Sequence, residues 1–311
     1  MRIMLAPMEG VVDATMRDLL TRMGGYDRCV TEFVRITEQR LPARVFLRVC
    51  PELHAASRTA AGTPVYVQLL GGNPYYMAEN ARRLVQLEPL GIDLNFGCPS
   101  KTVNRSDGGS VLLREPERVA DIVKAVRDAV PDSIPVTAKI RLGFYDTQLF
   151  PEIAQRVAEA GATELCVHAR TKQQGYQPPA YWSLLAPVVR DLDVPVIVNG
   201  DIWSLTDAQQ ALAASDCQAL MLGRGALSFP DLARLIQAHH QGQTYTALSA
   251  QALLPVIFDY VDSFADQNNP RVSNYIKQWF TYLQRQYPEF ATAFQQIKRL
   301  KSVAEIRACL A

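Results

Sequence analysis

Residues 91–113, GIDLNFGCPSKTVNRSDGGSVLL, change character twice. Residues 91–95 are short and apolar enough for a strand covered on both faces. The pattern breaks at Gly97, and small polar residues run on to Gly108 and Gly109 before apolar character returns. A helical pattern over 117–129 follows. Strand, polar loop and helix make one βα unit. At its strand exit a cysteine, Cys98, stands between Gly97 and Pro99, where a plain connection has no need of one.

The same unit recurs on both sides. Strand patterns lie at 3–6, 28–33, 65–70, 91–95, 136–140, 164–168, 194–199 and 219–222. Helical patterns such as 76–87, 117–129, 148–160 and 206–213 fall between them. Eight alternations of strand and helix predict an α/β fold, the (β/α)8 TIM barrel. An open doubly wound sheet would use fewer strands and a phosphate loop after the first. The first turn here is APMEG, with no G-x-G-x-x-G. After residue 242 the pattern changes: GQTYTALSAQ reads as a linker, and helical spacing dominates to residue 311. Two domains are expected, a barrel over 1–242 and a small domain of three or four helices over 243–311.

The chain has 311 residues, 48% hydrophobic and 20% charged, an ordinary globular composition. There is no run of 18 apolar residues and no secretory leader pattern, so no membrane association and a cytoplasmic location are expected. Six scattered cysteines without a CxxC pair argue against a disulfide framework and against a structural zinc site. The tandem His239-His240 has no third ligand spaced with it, so no metal is assigned. Net charge is +1, but residues 271–311 hold seven Lys/Arg against two Glu, a local +5. They also hold seven aromatics, most of which suit the core of a helical domain. A basic end on a near-neutral chain points to a polyanionic partner.

In this barrel class, function collects at the strand exits. Polar or ionisable groups stand at seven of them: Glu9, Gln68, Asn95 with Cys98, Lys139 with Arg141, His168 with Arg170, Asn199 with Asp201, and Gly223 with Arg224. The last two exits, VNGDI and LGRGAL, bring glycines where backbone amides can approach an anion, with Arg224 to match its charge. A phosphorylated cofactor or small molecule is the expected ligand.

APMEG, VQLLG, DLNFGCPSKTVNRSDGGSVLL, AKIRLG, VHARTKQQGY, VNGDI and LGRGAL, in that order, resemble the flavin-dependent tRNA-dihydrouridine synthases. The compact length and RTKQQGYQPPAYW look most like the bacterial C-type branch, which modifies position 16 of tRNA. The resemblance implies FMN as cofactor and NADPH as reductant. It implies that Pro7, Met8 and Glu9 line the flavin and that Gln68 bonds its polar edge. Lys139 would stand beside the anionic reduced ring and His168 would support it. Asn199, Gly200, Asp201, Gly223 and Arg224 would hold the ribityl phosphate. Reduction of the uracil 5,6 double bond takes a hydride at C6 and a proton at C5. The resemblance makes Cys98 the proton donor, and Asn95 would orient the uracil.

Displacing a base from its stack costs a few kcal/mol, offset by contacts to the rest of the RNA. Candidate tRNA contacts are Arg35, Lys101, Arg105, Arg141, Arg170, Lys172 and Tyr176 around the mouth. On the helical segment they are Arg271, Lys277, Arg285, Lys298, Arg299 and Lys301. The loop after Cys98 is expected to be a mobile cover, with Gly108 and Gly109 as hinges or points of close approach. The D-loop of tRNA is the expected substrate, and a monomer suffices. Two rivals stand beside this reading: a flavin dehydrogenase of a free pyrimidine such as dihydroorotate, which needs no basic appendage, and a non-catalytic RNA-binding barrel.

Overall fold

The computed structural model describes residues 1–264 and 270–310, and the side chain of Arg271 lies outside the described residues. Eight parallel strands close a barrel in chain order. They are β1 (Arg2–Leu5), β2 (Arg28–Arg35), β3 (Val65–Leu70), β4 (Ile92–Asn95), β5 (Val136–Arg141), β6 (Glu164–His168), β7 (Val196–Asn199) and β8 (Ala219–Leu222). The helices of the barrel part are α1 (Ala14–Met23), α2 (Ala43–Val49), α3 (Pro74–Val85), α4 (Lys101–Arg105), α5 (Pro116–Ala129), α6 (Phe150–Glu159), α7 (Ala186–Asp191), α8 (Leu205–Ser215), α9 (Arg224–Ser228) and α10 (Leu232–His240). Four more follow: α11 (Ala250–Asp262), α12 (Pro270–Leu283), α13 (Glu289–Ile297) and α14 (Val303–Leu310). The TIM barrel expected from the alternation is the fold. β2 runs further than its sequence pattern because Val34 and Arg35 pair with Leu69 and Leu70 beyond an irregularity at Val30–Phe33.

Strand residues alternate between two cores, as a period of two requires. One set, including Val65, Val67, Ile92, Leu94, Val136, Ala138 and Ile140, faces the helices and belongs to the main core. The other set faces the axis. Met4, Val30, Cys166, Ile197, Ala219 and Met221 form a separate small cluster there, with Tyr66 against it. Below it, Glu164 accepts hydrogen bonds from Arg2 and Arg28, and the Arg28 guanidinium lies 4.3 Å from the Tyr66 ring centre. Above it come the polar groups, because the register places Asn95 beside Lys139 and His168 beside both Arg141 and Asn199. Continuous parallel pairing from β4 to β7 thus delivers the functional side chains to a common level at the strand exits.

The C-terminal helices share the main core with the barrel helices. Trp279 is almost fully buried, and its indole Nε1 donates to the Leu227 carbonyl at 3.0 Å. Tyr260 meets Trp279 edge-on at 5.2 Å, and Phe280 meets Phe290 at 5.1 Å. Most aromatics of the basic segment therefore serve packing. Tyr282 packs against that core and also reaches the cleft described below, while Tyr275 is exposed.

The segment after β4 differs from the loose cover expected of it. Residues 101–105 are helical, and Gly109–Arg114 form a 3-10 turn. The Cys98 carbonyl accepts from Ser110 N (3.0 Å), Ser110 Oγ (2.8 Å) and Asn104 Nδ2 (3.0 Å), which ties the segment down against the cysteine. Among the described residues, no helix is long and apolar enough to cross a membrane.

Candidate active site

A cleft of about 540 Å³ opens at the strand-exit mouth of the barrel. That is ample for a cofactor-sized ligand. Pro7, Met8, Glu9, Gln68, Asn95, Cys98, Lys139, Arg141, His168, Tyr176, Asn199, Gly200, Asp201, Gly223 and Arg224 all line it. Seven strand exits that looked suggestive one by one converge on a single space. Glu32, Phe33, Trp203 and Tyr282 also line it and escaped the sequence reading. Glu32 and Phe33 escaped because the exit of β2 was not among the polar exits considered. Nothing in helical spacing marks Tyr282 as facing the cleft while Trp279 faces the core. Among the described residues, Arg35, Lys101, Arg105 and Arg170 are not part of the lining, nor are Lys277, Arg285, Lys298, Arg299 and Lys301.

Cys98 sits on a braced turn. Asn95 Oδ1 accepts from Gly97 N and Cys98 N, both at 2.9 Å, and Arg141 Nε donates to Gly97 O at 2.8 Å. The thiol is half-buried. Burial pushes its pKa above the ordinary value, and Glu9 adds to the rise, while a backbone N–H at Ser100, Arg141 and Lys139 oppose it. At neutral pH the sulfur therefore keeps its proton. Asn95 lines the cleft, its Oδ1 holds the cysteine turn, and its Nδ2 donates to Gln68 Oε1 at 2.7 Å.

Lys139 stands at the cleft floor. Its Nζ donates to Asn199 Oδ1 at 3.0 Å, and Asn199 Nδ2 is held by the Met221 carbonyl at 2.8 Å. Burial and the nearby Arg141 push the ammonium pKa down. His168 is held well below its ordinary value, first by burial and then by Arg141, Lys139, Arg170 and Arg224, so the ring is neutral. Glu9 and Glu32 at the rim are both shifted upward, chiefly by burial.

Two arginines correct the sequence reading. Arg141 is buried, and besides Gly97 it donates to the carbonyls of Thr171 (3.1 Å) and Gly175 (2.9 Å), so from the end of β5 it staples the loops after β4 and β6. Arg170 is fully buried; it donates to Gln177 O at 2.6 Å and pairs with the Asp201 carboxylate. Neither guanidinium is on the surface where RNA phosphates could meet it. Asp201 also pairs with Arg224 at 3.0 Å. A carboxylate so engaged sets the arginines and does not itself attract a phosphate. Tyr176 is 52% exposed, with its ring 5.1 Å from the Arg141 guanidinium and 4.8 Å from that of Arg224. Arg285 lies 3.9 Å over Trp203, beside the mouth.

The lining fits a flavin. Ala6, Met8 and Met221 offer apolar surface, while Gln68, Lys139 and Asn199 offer polar partners. Lys139 has no carboxylate partner among the described residues and bonds only a neutral amide. A cation so placed is matched by an electron-rich ring edge that carries negative charge when reduced. At the exits of β7 and β8, Gly200 has φ +117, and a Cβ there would lie 2.7 Å from His168 Cδ2. That exit is accordingly kept open next to the neutral histidine.

The sequence profile of the family described as Dihydrouridine synthase (Dus) matches residues 4–310. The tRNA-dihydrouridine(16) synthase of Shewanella oneidensis is 50% identical over 98% of this chain and 96% of its own length. The tRNA-dihydrouridine(16) synthase of Escherichia coli (strain K12) is 46% identical over 98% of this chain and 96% of its own. Among solved structures, the old yellow enzyme homologue of Zymomonas mobilis superposes with a TM-score of 0.51 at 15% identity, covering 81% of this chain and 91% of that one. Histamine dehydrogenase from Rhizobium sp. 4-9 reaches 0.59 at 14% identity, over 76% and 46% of the two chains. At such identities the likeness concerns the barrel fold alone.

Proposed function

The chain belongs to the dihydrouridine synthase family, and from that premise we propose how its cleft works and on which uridine. It is a tRNA-dihydrouridine synthase, a flavin-dependent oxidoreductase that reduces uridine in tRNA. The substrate uridine is position 16 of the D-loop, the flavin is FMN, and NADPH is the reductant. The two relatives named for position 16 support the first of these, through near-complete coverage at about half identity. The readings as a free-pyrimidine dehydrogenase or a non-catalytic barrel fall away with the family assignment.

The observation that carries the mechanism is a thiol fixed at the edge of the same cleft as Lys139, where burial raises its pKa. FMN, when bound and reduced, supplies the hydride for C6 of the uracil. Cys98 donates the proton to C5, and its braced turn holds the thiol in reach. Lys139 places positive charge at the polar edge of the cofactor. Gln68 and neutral His168 orient its ring and chain. Pro7, Met8 and Glu9 border its face. Asn199, Gly200, Gly223 and Arg224 receive the ribityl phosphate, with Asp201 holding Arg224 in place. The barrel, 1–242, carries the chemistry. The helices of 243–311 hold the RNA through Lys277, Arg285, Lys298, Arg299 and Lys301, joined by Arg35, Lys101, Arg105, Lys172 and Tyr176 at the mouth. The Arg271 side chain lies outside the described residues, and its part in RNA binding stays with this proposal. The enzyme works as a monomer in the cytoplasm, where its substrate is.

Mapping dihydrouridine in tRNA from cells lacking this protein tests the reading. Loss at position 16 alone is expected, and loss at another position rejects the site assignment. Cys98→Ala should bind FMN and accept electrons from NADPH, yet form no dihydrouridine. Normal turnover by that variant would remove Cys98 from its role.

A further inference from the structure

We infer that Asp93 is a positioning residue for Cys98, acting through a directional chain of hydrogen bonds; this rests on the reading of Cys98 as proton donor. Asp93 lies inside the barrel on β4, 2% exposed, and touches neither the cleft nor the reacting atoms. Register puts it level with Gln68 on β3 and Thr137 on β5. Its Oδ1 accepts from Thr137 Oγ1 at 2.5 Å and its Oδ2 from Gln68 Nε2 at 2.7 Å. Gln68 Oε1 accepts from Asn95 Nδ2 at 2.7 Å. Asn95 Oδ1 accepts from Gly97 N and Cys98 N, each at 2.9 Å.

With Asp93 ionised, the two ends of this chain have fixed roles. An ionised carboxylate only accepts, and backbone N–H groups only donate. Between such ends, each of the two amides has one permitted orientation. Reversed, Asn95 would turn its NH2 group on two backbone N–H donors, and the turn under Cys98 would lose its clamp. Asp93 thus sets the sense in which Gln68 and Asn95 face, although it is two amides away from the thiol. Burial raises the Asp93 pKa, and the bonds from Gln68 and Thr137 together with the charges of Arg28 and Lys139 oppose that rise.

Two substitutions separate this role from its rivals. Asp93→Asn keeps an oxygen for Gln68, because its NH2 group can turn to Thr137, whose hydroxyl can accept. Asp93→Leu removes the acceptor and frees both amides. On the flavin-loaded protein, peptide-resolved amide exchange at 97–98 and iodoacetamide labelling of Cys98 are measured, followed by single-turnover dihydrouridine formation. In Asp93→Leu the amides should exchange about tenfold faster, the loss of roughly one net hydrogen bond. Thiol labelling should accelerate, and dihydrouridine formation should slow by a similar factor. Asp93→Asn should keep the amides protected. Unchanged exchange in Asp93→Leu overturns the inference. Equal impairment of both variants overturns it too, since that would make the carboxylate a counter-charge to Lys139. Should Asp93→Leu not fold, Asp93→Asn with Thr137→Val removes the acceptor that locks the asparagine. Its amides should then exchange faster than in Asp93→Asn alone, and equality would reject the chain. Turnover by Cys98→Ala would reject the donor reading while leaving the exchange result standing, so the two failures are distinguishable.

Discussion

Gly109→Ala tests whether the segment after β4 fixes the thiol. Gly109 has φ +67, and a Cβ there would lie 2.9 Å from Cys98 O, 3.0 Å from Cys98 Cβ and 3.0 Å from Val103 Cγ1. Left-handed backbone costs an alanine about 1–2 kcal/mol. The new methyl can be accommodated only if Cys98 shifts or the 3-10 turn lifts. Either movement strains the three bonds to the Cys98 carbonyl, at about 1 kcal/mol for each one lost. The total is roughly 2–3 kcal/mol, a fall of several degrees in Tm for a chain of this size. A displacement of a few tenths of an ångström at a reacting atom is expected to slow the step by about tenfold, given about 10²-fold for 1 Å. Stopped-flow absorbance reads the two half-reactions separately. Reduction of the flavin by NADPH should be unchanged, and its reoxidation by tRNA should slow. Gly108→Ala is the control: its φ is −145, and its Cβ would meet only the flexible end of Leu70 at 2.9 Å within the tight range. The reasoning fails if Gly109→Ala loses stability but reoxidises with tRNA at the native rate, because the turn would then not determine where the thiol sits.

Three further outcomes are expected. The tRNA half-reaction should stay flat up to the ordinary thiol value of 9.0 and decline only above it, since burial raises the Cys98 pKa and the proton-loaded form persists below that pKa; a pH profile falling with a midpoint below 9 contradicts this. Arg285, Lys298 and Arg299 are exposed, and Arg285 lies over Trp203; replacing all three by Ala should flatten the slope of log affinity for tRNA against log salt by about 2–3, near 0.9 per phosphate released. An unchanged slope removes them from the RNA interface. Trp279→Ala should cost about 3–5 kcal/mol in thermal unfolding, and Trp279→Phe about 1 kcal/mol through the lost bond to Leu227; a negligible effect of the first would separate the helical segment from the barrel core.

The barrel was legible because its signal is local and repeated. Each strand is a short apolar run, and seven of the eight exits carry a polar residue that a core could not use. Strand ends shifted where pairing across strands decided them, as in β2, whose extension depends on Leu69 and Leu70 in another strand. The inward set was less legible, since Asp93, Thr137 and Gln68 look like three unrelated polar residues until register makes them neighbours. Tyr282 was invisible for the same reason: a helix that packs by Trp279, Phe280 and Leu283 on one side shows no sign of which remaining side meets a cleft built from distant segments.

The arginines show where sequence reading reaches its limit. Arg141, Arg170, Arg224 and Arg285 are alike as letters. The structure gives them different work. Arg170 closes an ion pair on Asp201 out of water, and Arg141 joins loops from two strand exits through their carbonyls. Arg224 keeps part of its guanidinium in the cleft while Asp201 takes the rest, and Arg285 lies over an indole at the surface. A buried guanidinium needs several acceptors to offset its desolvation, and loop carbonyls at a barrel mouth supply them. The same five-donor fork that suits a phosphate therefore suits the scaffolding of the phosphate's neighbourhood. Charge near a nucleic-acid site is in this way divided between cations that hold the loops in shape and cations that remain outside to meet the RNA. Only burial, which depends on the whole fold, tells one from the other.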